Sequence, residues 1–239
     1  MERTQKRILT LAVLITVGTL AVSYPQRDRR IQTRVYDNLA RAEFALNAGE
    51  FQTAEVYAGL VLMKDEIKVH LNVNRCSEER KQAAEAAFSE AAKMWEEALG
   101  GEVAFVLVSN HEADLKVGYR PKVKVYGEEV AGHATWSREV QTVGASAFGY
   151  KVRGEIMLRT QDRDGKDLSH EAMMNTAAHE LGHILGLEDS PRDGDIMSTL
   201  RIERPITRPS ADELGRLREV RASARSVSDS ALNASVRNW

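Results

Sequence analysis

Apolar residues recur at helical spacing through residues 29–66. Val35, Leu39, Ala42 and Leu46 form one stripe, Gly49-Glu50 interrupts it, and Ala54, Tyr57, Ala58, Val61 and Leu62 resume it. Spacings of three and four put such residues on one face of a helix, so the segment predicts a two-helix hairpin. Within it, residues 45–58 resemble half of a tetratricopeptide-type repeat. A single copy falls short of the roughly three such repeats need, which favours a hairpin packed on its neighbour. Residues 67–73 alternate and predict a half-buried strand. Ser77 is placed as an N-cap, with Arg80 where a capping box carries Glu or Gln. Ala84, Ala87, Phe88, Ala91, Ala92 and Trp95 then make a helical stripe that stops at Gly100-Gly101. The continuous apolar run 103–108 predicts a buried strand, 113–119 an alternating strand, and 132–136 a short edge strand. Residues 152–160 predict another strand, closed by the turn residues Asp162-Arg163-Asp164-Gly165. Helices are expected over 169–185 and 211–223, and a mobile Ser-rich tail over 224–239. This order implies an α+β fold, with one mixed, twisted sheet of about five strands and helices packed on it.

Composition narrows the classes. The 239 residues carry 33 Lys+Arg, 35 Asp+Glu and one Cys. A near-neutral balance gives no electrostatic basis for binding nucleic acid, and one cysteine excludes an intramolecular disulfide framework. The N-terminus adds a compartment. Basic residues at 2–7 precede an apolar run at 8–22, then the small-residue site Ala21-Val22-Ser23. That layout over residues 1–23 is that of a signal peptide, and the run is shorter than the ~20 residues a spanning helix needs. An uncleaved signal anchor is the rival, kept open by Arg27, Arg29 and Arg30. The expectation is a secreted or extracytoplasmic protein, touching a membrane only through residues 8–22 if they are retained.

The chemistry lies in His179-Glu180-Leu181-Gly182-His183-Ile184-Leu185-Gly186-Leu187-Glu188-Asp189. Histidines at i and i+4 stand ~40° apart around a helix, so both rings can reach one Zn²⁺. Met174, Ala177, Ala178, Leu181 and Leu185 cluster on the other side, giving one core face and one cleft face. Glu180 lies beside the histidines, where it can take a proton from a metal-activated water. A catalytic zinc site uses three protein ligands and keeps one position open. Gly186 can end the helix in a left-handed turn, which brings Asp189 back as the third ligand candidate, ahead of the adjacent Glu188.

The pattern H-E-x-x-H-x-x-G-x-x-H/D resembles the metzincin clan of zinc endopeptidases. Asp195-Ile196-Met197-Ser198 is similar to the clan's Met-turn. Residues 113–117, residues 132–136 and Ser190-Pro191 resemble the matrixin branch. The resemblance covers about residues 67–223 and implies a metzincin-like catalytic domain there. It implies zinc on His179, His183 and Asp189, Glu180 as general base and acid, and Met197 as a floor under the metal. It implies that the edge strand, with His133, Ala134 and Thr135, aligns a protein or peptide substrate. Two positions depart from the pattern. Asp189 stands where most matrixins have His, which makes the zinc a slightly weaker Lewis acid. Thr199 stands where astacins and serralysins carry a transition-state Tyr.

Other residues carry weaker signals. Cys76 falls after the first strand rather than in a pro-segment and reads as an inert thiol. Asp162, Asp164 and Asp167 around Gly165 are candidates for Ca²⁺, without the later bidentate Glu of an EF-hand. His70, His111, His133 and His170 lack spacing for a second zinc. The hairpin over 24–66 is a pro-segment, a stalk or a permanent part of the fold. The competing function is a silent metzincin-fold scaffold that recruits a partner through this hairpin; retention of Glu180 speaks for the enzyme.

Overall fold

The computed structural model describes residues 33–63, 66–144 and 146–237. The expected export segment lies outside them. The hairpin forms as α1 (Thr33–Asn47) and α2 (Phe51–Leu62), turned by Gly49 at φ 77°. Then come β1 (Glu66–Asn72) and α3 (Glu78–Ala98). The buried residues of α3 are Ala84, Ala87, Phe88, Ala91, Ala92 and Trp95, the stripe read from the sequence. Ser77 makes no side-chain cap bond. Arg80 instead sends its guanidinium to the carbonyls of Thr160 (3.2 Å) and Leu168 (2.7 Å).

Strands β2 (Ala104–Leu107), β3 (Leu115–Arg120), β6 (Gly132–Val143) and β7 (Ser146–Arg159) join β1 in one sheet ordered β2-β1-β3-β7-β6. All neighbours are parallel except β6, which pairs antiparallel with β7 along its outer edge. Strands β4 (Val123–Val125) and β5 (Glu128–Val130) form a separate two-stranded ribbon, turned at Tyr126 and Gly127, both at positive φ. Helices α4 (His170–Leu185) and α5 (Ala211–Arg237) complete the α+β architecture.

Three expectations need correcting. Strand β2 lies at the outer edge rather than in the interior, and Val106 and Leu107 are exposed there. The edge strand is twelve residues long, because residues 137–143 and 146–151 extend β6 and β7 into a long hairpin. The C-terminal helix runs on through the segment expected to be a mobile tail, since Ala224, Val227 and Ala231 give it a buried stripe.

That stripe packs on the α1–α2 hairpin, and a single apolar core includes Leu39, Ala58 and Val61 with Leu217, Val220 and Ala224. Arg221 ties the layers together. It donates to the Leu62 carbonyl (2.8 Å), to the Glu102 carbonyl (3.0 Å) and to the Glu102 carboxylate (3.0 Å). The tip of the β6–β7 hairpin closes on α2, where the Ala147 N–H reaches the Thr53 hydroxyl (3.4 Å) and the Tyr150 ring lies against Gly59. Helix α4 is held from below by the buried Trp95 indole, which donates to the Ala178 carbonyl (2.9 Å). Its histidines are thereby set facing the open edge of the sheet. Among the described residues, no helix is long and apolar enough to cross a membrane.

Candidate metal centre

Helix α4 starts at Ser169, whose hydroxyl accepts the Ala172 N–H (3.1 Å), and ends at Gly186 in the left-handed conformation at φ 109°. The Gly186 N–H returns to the His183 carbonyl, and the Leu187 N–H to that of Gly182 (2.9 Å). This sharp reversal brings Asp189 over the helix. Its Oδ1 lies 3.3 Å from His179 Nε2 and 3.6 Å from His183 Nε2. One ligand atom from each residue lies within 4.8 Å of the others, the only such group among the described residues.

The donor set fits zinc. Two ligand atoms at ~2.0–2.1 Å from a tetrahedral ion stand ~3.3–3.4 Å apart, close to the separations between Asp189 and each ring. Both rings are also oriented. His179 Nδ1 bonds the Ile196 carbonyl and His183 Nδ1 the Leu187 carbonyl, each at 2.9 Å. A carbonyl can only accept, so Nδ1 carries the proton and Nε2 can offer its lone pair to a metal.

Ionisation of these groups is set by burial and by their contacts with one another. Contact with His179 holds the Asp189 carboxyl below its ordinary value. Burial, then the neighbouring His179, pulls His183 down toward neutral imidazole. Burial opposes charge on His179 as well, but the Asp189 contact, the nearby Glu180 and the Ile196 carbonyl together outweigh it and leave that ring raised. Glu180 is 4% exposed, and burial pushes its carboxyl up to about 7, with His179 opposing and Asp189 adding. The Ala134 backbone N–H bonds this carboxylate.

Two glycines create the necessary space, and spacing alone did not single them out. A Cβ on Gly132 would lie 2.5 Å from Glu180 Oε1. A Cβ on Gly182 would collide with the Met197 sulfur and come within 3.4 Å of Trp95. Met197 is fully buried beneath α4. Its loop is closed by the Ser190 N–H on the Met197 carbonyl (2.6 Å) and by the Ser190 hydroxyl on Asp195 (2.5 Å).

The site also depends on a residue absent from the sequence reading. Glu213, fully buried at the start of α5, accepts the N–H groups of Ile196 (3.2 Å), Met197 (2.9 Å) and Ser210 (2.7 Å). Its own N–H bonds the Ser210 hydroxyl (3.2 Å). The sequence signal was a capping box, Ser210-x-x-Glu213.

A cleft of about 700 Å³ opens over the three ligand candidates and Glu180. His133 and Ala134 line it, whereas Thr135 lines a different cavity and bonds the Glu155 carbonyl (3.4 Å). The other singled-out groups lie elsewhere. Cys76 is half-buried, with its thiol pushed up by burial. Asp162 Oδ1 accepts the N–H groups of Asp164 (2.9 Å) and Lys166 (2.8 Å), and Asp167 meets Gln161 (3.2 Å), forming a self-satisfied turn. His170 meets Glu90 (2.8 Å), His111 meets Ser109 (3.1 Å) and His70 meets the Val108 carbonyl (3.4 Å).

The matrixin peptidase family model matches residues 63–214. None of the curated proteins matches. Among solved structures, archaemetzincin from Methanopyrus kandleri is similar at 15% identity and a TM-score of 0.42, over 65% of this chain and 96% of that one. The match to the family model spans well over half of the chain and includes every residue of the cluster: this protein belongs to the matrixin family of zinc metallopeptidases.

Proposed function

We propose that the protein is an endopeptidase in which His179, His183 and Asp189 hold one catalytic zinc and Glu180 is the general base and acid. The observation that carries this reading is the convergence of three ligand atoms within 4.8 Å beside a buried carboxylate at the floor of an open cleft. When bound there, zinc supplies Lewis acidity toward the peptide carbonyl and lowers the pKa of water. The protein's own residues do the remainder. Glu180 takes the proton of the attacking water at its carboxylate and passes it to the leaving amine nitrogen. Ala134 orients that carboxylate through its N–H, and Gly132 leaves it room. Met197 supports the ligand pair from below, and the Ile196 and Leu187 carbonyls keep both rings in the metal-binding tautomer.

The cleft edge supports extended substrates. Strand β6 is an edge strand with only β7 beside it, so a peptide can add to it as a further strand. His133 and Ala134 flank that position; Thr135 contributes backbone alone, since its side chain faces the second cavity. The proposed compartment is extracytoplasmic, on the layout of residues 1–23. The test of the function is cleavage of an unfolded protein that a zinc chelator stops and added zinc restores. Cleavage unaffected by the chelator would contradict it.

A further inference from the structure

One group in the cleft has a charge and no role in the chemistry above. Arg159 ends β7 and is 7% exposed. It lines both the large cleft and a small adjoining recess, which is also bounded by Asn175 and Thr176 of α4 and by Leu200 and Ile202 beyond Met197. Among the described residues, Arg159 Nε has no hydrogen-bond partner, and neither does the Nδ2 of Asn175, a residue 3% exposed. A buried donor without an acceptor costs free energy, and two of them beside one recess call for an acceptor that arrives from outside.

The surrounding charges favour an anion. Arg163 lines the same cleft and stands close enough to Arg159 to repel it. Two carboxylates, Glu129 and Asp162, act on Arg159 from nearby. Glu129 is engaged by Lys122 at 3.5 Å, and Asp162 by the backbone of its own turn. Neither closes on the Arg159 guanidinium. The recess measures only about 10 Å³, room for about one water. An incoming carboxylate therefore sits at its mouth, in the cleft, where the fork of a guanidinium can take both oxygens.

Direction follows from the strand. Strand β6 runs from Gly132, against Glu180, away toward Val143. A peptide added antiparallel to it carries its C-terminal half past Ala131, which lines both the cleft and the recess. We propose that Arg159, backed by Asn175 and Arg163, selects substrates bearing a carboxylate, an Asp or Glu side chain, on the residue that follows the bond cut. This rests on the peptidase reading and adds its substrate class.

The test uses zinc-loaded full-length protein and quenched peptides that differ only at the residue after the scissile bond. One charged hydrogen-bonded pair corresponds to roughly a ten- to hundred-fold preference in kcat/KM for Glu over Leu. The same ratio should fall toward one in Arg159→Met, with zinc content and unfolding midpoint verifying the fold. A wild-type ratio at or below one overturns the proposal whatever the variant does. A second arm compares short peptides ending at that residue as free acid or amide. A preference for the free acid exceeding that for the Glu side chain overturns the side-chain assignment. Should no peptide be cut, the peptidase reading fails separately. Fluorescence anisotropy with the same peptides then decides this proposal: tighter binding of the Glu peptide upholds it, and equal binding overturns it.

Discussion

The Glu213 carboxylate accepts the Met197 backbone N–H at 2.9 Å, joining the first turn of the C-terminal helix to the loop beneath the metal centre. The same carboxylate holds the Ile196 N–H, and the Ile196 carbonyl in turn orients His179. A residue more than thirty positions from His179 therefore fixes the tautomer of a proposed ligand. Glu213→Ala would leave two buried N–H groups unsatisfied, at ~1–3 kcal/mol each. The expected result is a loss of ~2–5 kcal/mol in urea unfolding and a ~10–100-fold weaker zinc affinity. Stability lost with zinc affinity unchanged would show that the loop does not position the ligand.

Glycines within and beside α4 should respond in the opposite way to a glycine on the surface. Gly182→Ala drives a methyl into the Met197 sulfur, an overpacking cost of ~1–3 kcal/mol. Gly132→Ala pushes on the Glu180 carboxylate and should cut turnover while zinc stays bound. Gly215, inside α5 with nothing within 4 Å of an added Cβ, should gain up to ~1 kcal/mol on change to Ala. Thermal melts and zinc analysis of the three variants check this set; a destabilised Gly215→Ala would discredit the steric argument.

Much of this was legible beforehand, and the reasons differ by element. The active-site helix and its Gly186 cap were readable because helical spacing, capping chemistry and ligand spacing all fall within about twenty consecutive residues. The long β6–β7 hairpin was not. Ser137, Arg138, Glu139, Gln141 and Thr142 show no apolar alternation, and the hairpin is held by α2 through Thr53 and Tyr150. The extension of α5 was written in Ala224, Val227 and Ala231, but a Ser-rich composition masked it. Glu213 was visible as a cap and not as a clamp, since its second set of partners lies far along the chain. The edge position of β2 could not be read, because a short apolar run looks alike at the centre and the rim of a sheet.

The N-terminal hairpin shares one apolar core with the sheet and the helices that follow it, so it should unfold with them. Leu60→Ala, at a residue 1% exposed in α2, should cost ~2–5 kcal/mol. Phe44→Ala, at a residue 74% exposed in α1, should change stability by less than ~0.5 kcal/mol. A single cooperative transition seen by both tryptophan fluorescence and circular dichroism is expected; two separated transitions would mark the hairpin as an independent unit.

Acid should loosen the joint between the loop linking α3 to β2 and α5. Burial pushes the Glu102 carboxyl up, but its bonds to Arg225 and Arg221 prevail and hold it below its ordinary value. A carboxyl with a depressed folded-state pKa stabilises the protein above its unfolded value, ~4.3, and loses that contribution as pH falls through the folded value. Glu102→Gln should therefore be less stable than the wild type at pH 7, with the gap narrowing below about pH 4. A gap that is constant with pH would remove charge from the explanation.

The central claim is that Glu180 moves the proton and does not hold the metal. Its most direct test is the Glu180→Ala variant, measured for bound zinc and for turnover of an unfolded protein in the same preparation. The account predicts about one zinc per chain, as in the wild type, with turnover lowered by at least ~10²-fold. Wild-type turnover in that variant, or loss of its zinc, would contradict it.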